Sequence, residues 1–558
     1  MQRRLWFSVA MLAAGASLLV AASFASASGS SPNIRSGGTL KIGGTGNLDS
    51  VDPAIAYGTT SWWFEFATRA NLYTYPDKQG AAGGKLIPEV AKRFTVSKNG
   101  KVYKFFLKKN YRFSDGAKVT AANFKYAITR SLNKDLGSEG GPFVDDPANV
   151  NIVGAAKYAA AKAGGVSGVI AKGYVLTIKL VSPQPNLITI MGMPFFQAAS
   201  LKLPLKTEVI NIHSIKDMPT AGPYAWSFND PDHQANIVRN PFYRGPRAHR
   251  IAGAQFNMRL NVNTCYNQTK ANDLDIGCVP PAEIPAVIKQ YGKSTTRPVK
   301  TGQFWVRPAT CTFYQAMNMA KSLFSPSKLK ARLALNYAFD RKDYIAQRGL
   351  YGGVPWTHIL PPGLPGSVSK QPFPFRRNLA KAKSLGPGRG QKLIYYYQSA
   401  GSVGPKQYQV ALRDLTDLGY NVEGRGFAGF NIYEAAGNRG SAHDVVGQVG
   451  WCQDYPDPYD FINVLMDGTK IQAENNVNIA YFNIKKWNNA MHSAARLTGK
   501  KRFAAYAKLD LNISTKAAPW ASMGDSTNQF FYSNKVAPST MVYQTVYQYP
   551  SLNILAFK

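Results

Sequence analysis

The stretch LIYYYQSAGSVGPKQYQVALRDLTDLGYNV, Leu393 to Val422, holds a complete structural unit. Leu393 to Tyr397 is apolar and aromatic, as a buried strand requires. Tyr408, Ala411, Leu412 and Leu415 recur at helical spacing and share one face of a helix. Gly419 can end that helix, and Tyr420 to Val422 opens a second strand. Strand, helix and strand in this order call for a parallel sheet covered by helices, an α/β architecture.

The rhythm extends outward. Leu329, Leu333 and Tyr337 mark another amphipathic helix. Val445 to Trp451 reads as a short apolar strand, with Gly447 and Gly450 leaving room for close approach of another backbone. Toward the start, a Ser/Gly-rich linker from Ser28 to Gly38 leads into an alternating strand, Thr39 to Ile42. Val102 to Leu107 is a β-prone aromatic run, followed by a turn at Ser114-Asp115-Gly116. Thr120 then caps a helix whose Phe124, Ile128 and Leu132 form one stripe. Tyr174 to Leu180 alternates as a further strand, and no internal repeat is visible. A chain of 558 residues is too long for one core, so two or three domains are expected.

The first residues read as an address. Arg3 and Arg4 precede an apolar run from Leu5 to Val20, and Ala25-Ser26-Ala27 has the small residues of a cleavage site, giving a signal peptide over residues 1–27. A spanning anchor needs ~20 strongly apolar residues, whereas Gly15 and Ser17 interrupt this run. The expectation is an exported protein, periplasmic or in the extracellular cell envelope. No cysteine follows the apolar run, so no lipobox attachment point is present.

Charge and cysteines narrow the partners. Lys and Arg number 66 against 31 Asp and Glu, a formal +35 that falls to +33 once Arg3 and Arg4 leave. Such a charge raises nucleic acid as a partner, but export and the absence of long basic runs exclude it. Contact with an anionic cell wall or membrane surface is the more natural reading, beside a uniformly basic solvated surface with no specific partner. The four cysteines, Cys265, Cys278, Cys311 and Cys452, suggest two disulfides with three possible pairings. No close C-x-x-C pair supports metal.

Catalytic motifs are missing. His213, His233, His249, His358, His443 and His492 stand singly, with no H-E-x-x-H pair and no G-x-S-x-G elbow. Gly83-Gly84-Lys85 lacks the first glycine of a P-loop, and Thr45-Gly46 does not complete G-x-G-x-x-G. No catalytic residue, metal ligand or cofactor is expected.

Several blocks, in order over nearly the whole chain after the leader, carry a resemblance. They are Gly38-Thr39-Leu40 with Leu48-Asp49-Ser50-Val51-Asp52-Pro53, then Phe105 to Lys109 with Phe113-Ser114-Asp115-Gly116-Ala117-Lys118-Val119-Thr120-Ala121. Thr220-Ala221-Gly222-Pro223-Tyr224, Asn240-Pro241-Phe242-Tyr243, Ala334 to Arg341 and Leu360-Pro361-Pro362-Gly363 follow. The set resembles the peptide/nickel class of ABC-transporter solute-binding proteins, bacterial family 5. Gly450-Trp451-Cys452-Gln453-Asp454-Tyr455-Pro456-Asp457-Pro458 resembles its oligopeptide-binding members in particular.

The resemblance implies a two-lobed periplasmic-binding-protein fold of type II, the large three-domain variant, with a hinged ligand cleft. Domain I would comprise 28–72, 205–310 and 515–558, with domain II, 73–204, inserted in it and domain III, 311–514, opposing it. It implies a monomeric receptor that takes a peptide ligand to the membrane permease subunits of an ABC importer. In these relatives the aspartate of the Cys-x-Asp-Tyr run pairs with the α-ammonium of the peptide, which points to Asp454. Gly450, Trp451 and Tyr455 join it as ligand-binding candidates. The alternative for Asp454 is a turn or cap residue, a role assigned here to Asp457, and Trp451 could be core rather than pocket wall. The resemblance also implies a Cys311–Cys452 bridge, leaving Cys265–Cys278. Physically, a strand edge such as Val445 to Trp451 can pair with any extended peptide, and one buried carboxylate would set the register. A different small solute (metal chelate, opine or oligosaccharide), a secreted hydrolase or a surface adhesin are the rival readings. The relatives are less basic, and tryptophan often stands where Tyr243-Arg244-Gly245 occurs.

Overall fold

Residues 393–422 fold as their pattern predicts. Lys392–Gln398 and Asn421–Phe427 are strands paired in parallel, Leu393 opposite Val422, and the helix Val403–Asp417 crosses between them. Ala411 and Leu415 are buried, and Gly419 takes φ +102°, a left-handed conformation that stops the helix. The computed structural model describes residues 34–161, 165–208, 210–295 and 303–558. The expected signal peptide and most of the Ser/Gly linker lie outside the described residues. Ile34–Lys558 form one compact unit.

An 11-stranded sheet organises the molecule. Its path runs Asn421–Phe427, Lys392–Gln398, Val445–Cys452, Phe304–Met317, Trp520–Tyr532, Ile276–Gly277, Thr39–Gly43, Gly253–Asn257, Gln234–Arg239, Tyr224–Asp230, with Lys293–Ser294 added beside Phe304. The two long antiparallel strands, Phe304–Met317 and Trp520–Tyr532, join its halves. At one end Trp305, Phe530 and Tyr532 belong to a core with Leu40, Ile42, Trp226 and Phe256. At the other, Tyr314 and Trp520 stack at 3.4 Å and enter a core with Val446, Phe461 and Tyr506. Between Ala309 and Phe313 the register slips. There Thr310 leaves the ladder, its N–H donating to Gln548 Oε1 (2.8 Å) and its carbonyl accepting from Gln453 N (3.0 Å). The break falls between the two packed cores.

A separate four-stranded sheet, Ala91–Val96, Val102–Leu107, Val175–Lys179 and Val169–Lys172, packs one face on the helix Ala121–Leu132. Phe124, Ile128 and Leu132 are buried as expected, and Thr120 forms a capping box with Asn123.

The blocks singled out in the sequence anchor long-range contacts. Asp52 grips Arg130 with two charge-assisted bonds of 2.7 and 2.6 Å in a buried pair. Ser114 N donates to Thr220 O (2.8 Å), and Asn240 donates to the carbonyls of Thr220 and Gly222. Arg341 donates to Ser522 O (2.6 Å) and Asn336 to Trp520 O (2.9 Å), tying the Leu329–Ala338 segment to the long strand. That helix departs from its expected stripe. Leu329, Leu333 and Tyr337 are only half-buried, while Arg332, Leu335 and Asn336 face inward. Burial of Arg332 is possible because Ala517 O, Phe324 O and other carbonyls accept its protons. Cys311 pairs with Cys452 and Cys265 with Cys278, the pairing that the resemblance implied.

Candidate functional site

Val445 and Val446 are paired on both sides, with Met317 and Ala316 and with Tyr395 and Tyr396. At Gly447 a side chain would strike Tyr395 Oη and Gln315, and at Gly450 the Phe313 ring. Side chains, rather than a second backbone, therefore make most of the expected close approach. Gln448, at φ +63°, turns the strand away, and its Oε1 accepts from Gln398 N (2.6 Å). From Val449 to Cys452 only the Phe304–Met317 strand remains alongside, so among the described residues the outer edge has no strand partner. The Tyr433 hydroxyl meets that edge, accepting from Gly450 N (2.9 Å) and donating to Gly450 O (3.2 Å).

The chain then turns through Gln453–Pro458 into the helix Tyr459–Met466. Asp457 is the turn residue that the sequence suggests. Its Oδ1 accepts from Tyr459 N (2.9 Å), but it also forms a buried ion pair with Arg502 at 2.7 Å. Asp454 is 7% exposed and has a different setting. Its N–H donates to Asp460 Oδ2 (2.8 Å), and its own Oδ2 accepts from the Tyr57 hydroxyl (2.9 Å). No Lys or Arg forms an ion pair with Asp454 or Asp460 among the described residues.

Burial without a cation pushes the Asp454 carboxyl up to about 7, with Glu139 adding repulsion. Asp460 is also raised, first by burial and then by the charge of Asp454. Glu139 is solvent-exposed and is also raised by desolvation. The arrangement is a buried negative charge with one neutral donor, suited to a cation that arrives with its own protons.

The remaining candidates surround this centre. Trp451 is half-buried against the neighbouring core, and its indole N–H eases Asp460 from just outside hydrogen-bond geometry. Tyr455 is fully buried, its ring edge-on to Phe143 at 6.2 Å, and its hydroxyl has no hydrogen-bond partner among the described residues. Two residues were not singled out by the sequence. Tyr57 follows the Asp-Pro loop, where Asp49 Oδ2 accepts from the N–H groups of Tyr57 and Gly58 at 2.7 Å each. Arg348 lies over Phe313, 3.8 Å from its ring centroid, opposite Gly450 in the strand register. Burial lowers its pKa, and among the described residues no carboxylate is within ion-pair distance of it. No periodic or local signal marks either residue.

The model for bacterial extracellular solute-binding proteins, family 5 middle, matches residues 85–473. The chain belongs to this family. The probable deoxycholate-binding periplasmic protein YgiS of Escherichia coli is 24% identical over 463 residues, covering 78% of this chain and 79% of that one. The oligopeptide-binding protein OppA of Bacillus subtilis is 22% identical over 441 residues, covering 75% and 74%. Among solved structures, the clavulanic acid biosynthesis oligopeptide binding protein 2 superposes with a TM-score of 0.80 at 19% identity, over 94% of this chain and 96% of that one. Haemophilus influenzae OppA in complex with RPPGFSPFR gives 0.72 at 19%, over 94% and 99%. The two-lobed binding fold is thus shared. No helix among the described residues is long and apolar enough to cross a membrane.

Proposed function

We propose that this protein is a non-catalytic extracytoplasmic receptor that captures oligopeptides between its lobes and delivers them, as a monomer, to an ABC importer. The observation that carries this reading is Asp454, a buried carboxyl with no cation, beside a strand edge that lacks a partner strand. A peptide α-ammonium supplies the missing charge, and its extended backbone supplies the missing strand. Asp454 receives the ammonium with Tyr57, Gly450 offers its backbone, and Trp451 and Tyr455 wall the site. Arg348 receives the peptide carboxylate, because it is a desolvated cation stacked on Phe313, the residue that faces Gly450 in the register. The oligopeptide-binding name of Bacillus subtilis OppA and the peptide bound to Haemophilus influenzae OppA support the ligand class.

The lobes would be built as 28–72, 205–310 and 515–558 with 73–204 inserted, facing 311–514. Leader cleavage after residue 27 would release the receptor outside the cytoplasm.

A second reading is favoured by Tyr433, which already saturates Gly450. If that contact persists, the ligand is a compact solute rather than an added strand. Native mass spectrometry of the purified protein, followed by denaturation, separates the two. A set of short peptides supports the first, and a single non-peptide species replaces it.

A further inference from the structure

The outer face of the four-stranded sheet is built unlike the rest of the molecule. Over the whole chain basic residues outnumber acidic ones 66 to 31. In the segments 91–114 and 165–182, which hold this sheet and its turns, ten Lys or Arg meet no Asp or Glu. The strand register sets four of them in rows across the face. Arg93, Phe106, Val175 and Lys172 form one row, and Thr95, Lys104, Thr177 and Ile170 the next, with Val102 and Lys179 beyond. The alternate residues, Tyr103, Phe105, Leu176 and Ile178, are buried beneath. Arg93, Lys104, Lys172 and Lys179 are exposed, and Arg93 lies 3.8 Å over the Phe106 ring. Among the described residues, no ion pair neutralises any of the ten.

We propose that this face docks on an anionic phospholipid bilayer. Strands lie about 4.8 Å apart, so the cations spread over roughly 15 Å in two dimensions rather than along one line. A linear polyanion would follow a groove or stripe and meet few of them at once. A plane of headgroup phosphates meets them together, and each cation near such a surface raises binding about fivefold. The half-exposed Phe106, Val175 and Ile170 sit level between the cations, with no projecting apolar wedge, so adsorption is electrostatic and shallow. Docking through this face would hold the receptor beside the membrane while leaving the Asp454 region unused, and it does not depend on which solute is carried.

Sedimentation of the full chain with vesicles tests the proposal, using phosphatidylcholine alone or with three parts in ten phosphatidylglycerol. Binding is expected only to the mixed vesicles and should fall steeply between 0.05 and 0.3 M salt, on the order of the Debye screening change. Arg93→Gln, Lys104→Gln and Lys179→Gln together should weaken it about a hundredfold, with unchanged thermal unfolding. Lys383→Gln, Lys485→Gln and Lys500→Gln, exposed residues elsewhere, should weaken it less than threefold. Equal losses from both triple variants would overturn the proposal in favour of overall charge. Face-dependent binding of polyglycerol phosphate as tight per phosphate as that of vesicles would overturn it in favour of a polymer, and no binding to mixed vesicles would overturn it outright.

Discussion

The Tyr433 hydroxyl and the Gly450 backbone satisfy each other in both directions, donor to acceptor and acceptor to donor. These are the two groups that an added peptide strand would use, so a peptide must first displace the hydroxyl. Tyr433→Phe leaves nothing to displace. Peptide affinity measured by calorimetry should then rise by about 1 kcal/mol, or roughly fivefold. A fall in affinity would show instead that the hydroxyl contacts the ligand.

Asp454→Asn should keep the fold and weaken peptide binding by about 2–5 kcal/mol, the cost of leaving a buried ammonium unpaired. Peptides with an acetylated amino terminus should bind the wild type and the variant alike. Unchanged affinity for free peptides would remove Asp454 from the site.

The raised carboxyl also makes binding pH-dependent. Below about 7 Asp454 is protonated in the empty site and must give up that proton to receive an ammonium. Affinity should therefore fall by up to tenfold per pH unit as pH drops below 7, and fall again above about 8, where the peptide amine loses its own proton. Calorimetry in two buffers of different ionisation enthalpy at pH 6 should show about one proton released, and at pH 8 roughly half a proton taken up.

The same group has the opposite effect on the empty fold. Its folded pKa lies above the unfolded value, so its stabilisation is full below about 4 and is lost as pH rises to about 7. The difference in unfolding free energy between wild type and Asp454→Asn should change across that window and stay flat above it. Taking the difference cancels other raised carboxyls such as Glu65 and Asp525.

Arg348→Met should weaken free-acid peptides by about 2 kcal/mol and leave carboxy-amidated peptides unaffected. Equal losses for both forms would make Arg348 a packing residue on Phe313.

The sequence disclosed most of the fold because its signals were local. Leu393 to Val422 needs only its own periodicities, and Gly419 its place after a helix. The inward face of Leu329–Ala338 escapes its own periodicity because Arg332 and Asn336 are held by the carbonyls of Ala517 and Trp520, far away in the chain. Asp454 was legible through one run of residues, Gly450 to Pro458. Tyr57 was not, since its role depends on an encounter 397 positions away. Arg348 has the same difficulty, for a cation on a surface turn and one stacked on Phe313 look alike until the strands are paired.

The order of strands in the large sheet also governs when the protein becomes itself. Thr39–Gly43 is flanked by Gly253–Asn257 and Ile276–Gly277, and the latter pairs with Phe531 and Tyr532. An emerging chain can complete the Lys392–Cys452 region while Ile276–Gly277 and Phe304–Met317 still wait for Trp520–Tyr532. Such remote pairings are slow to form and leave edges exposed meanwhile. Closing the sheet with Trp520–Tyr532 is thus a late event that joins both cores at once, and binding competence should be the last property gained during refolding, after compactness and helix content.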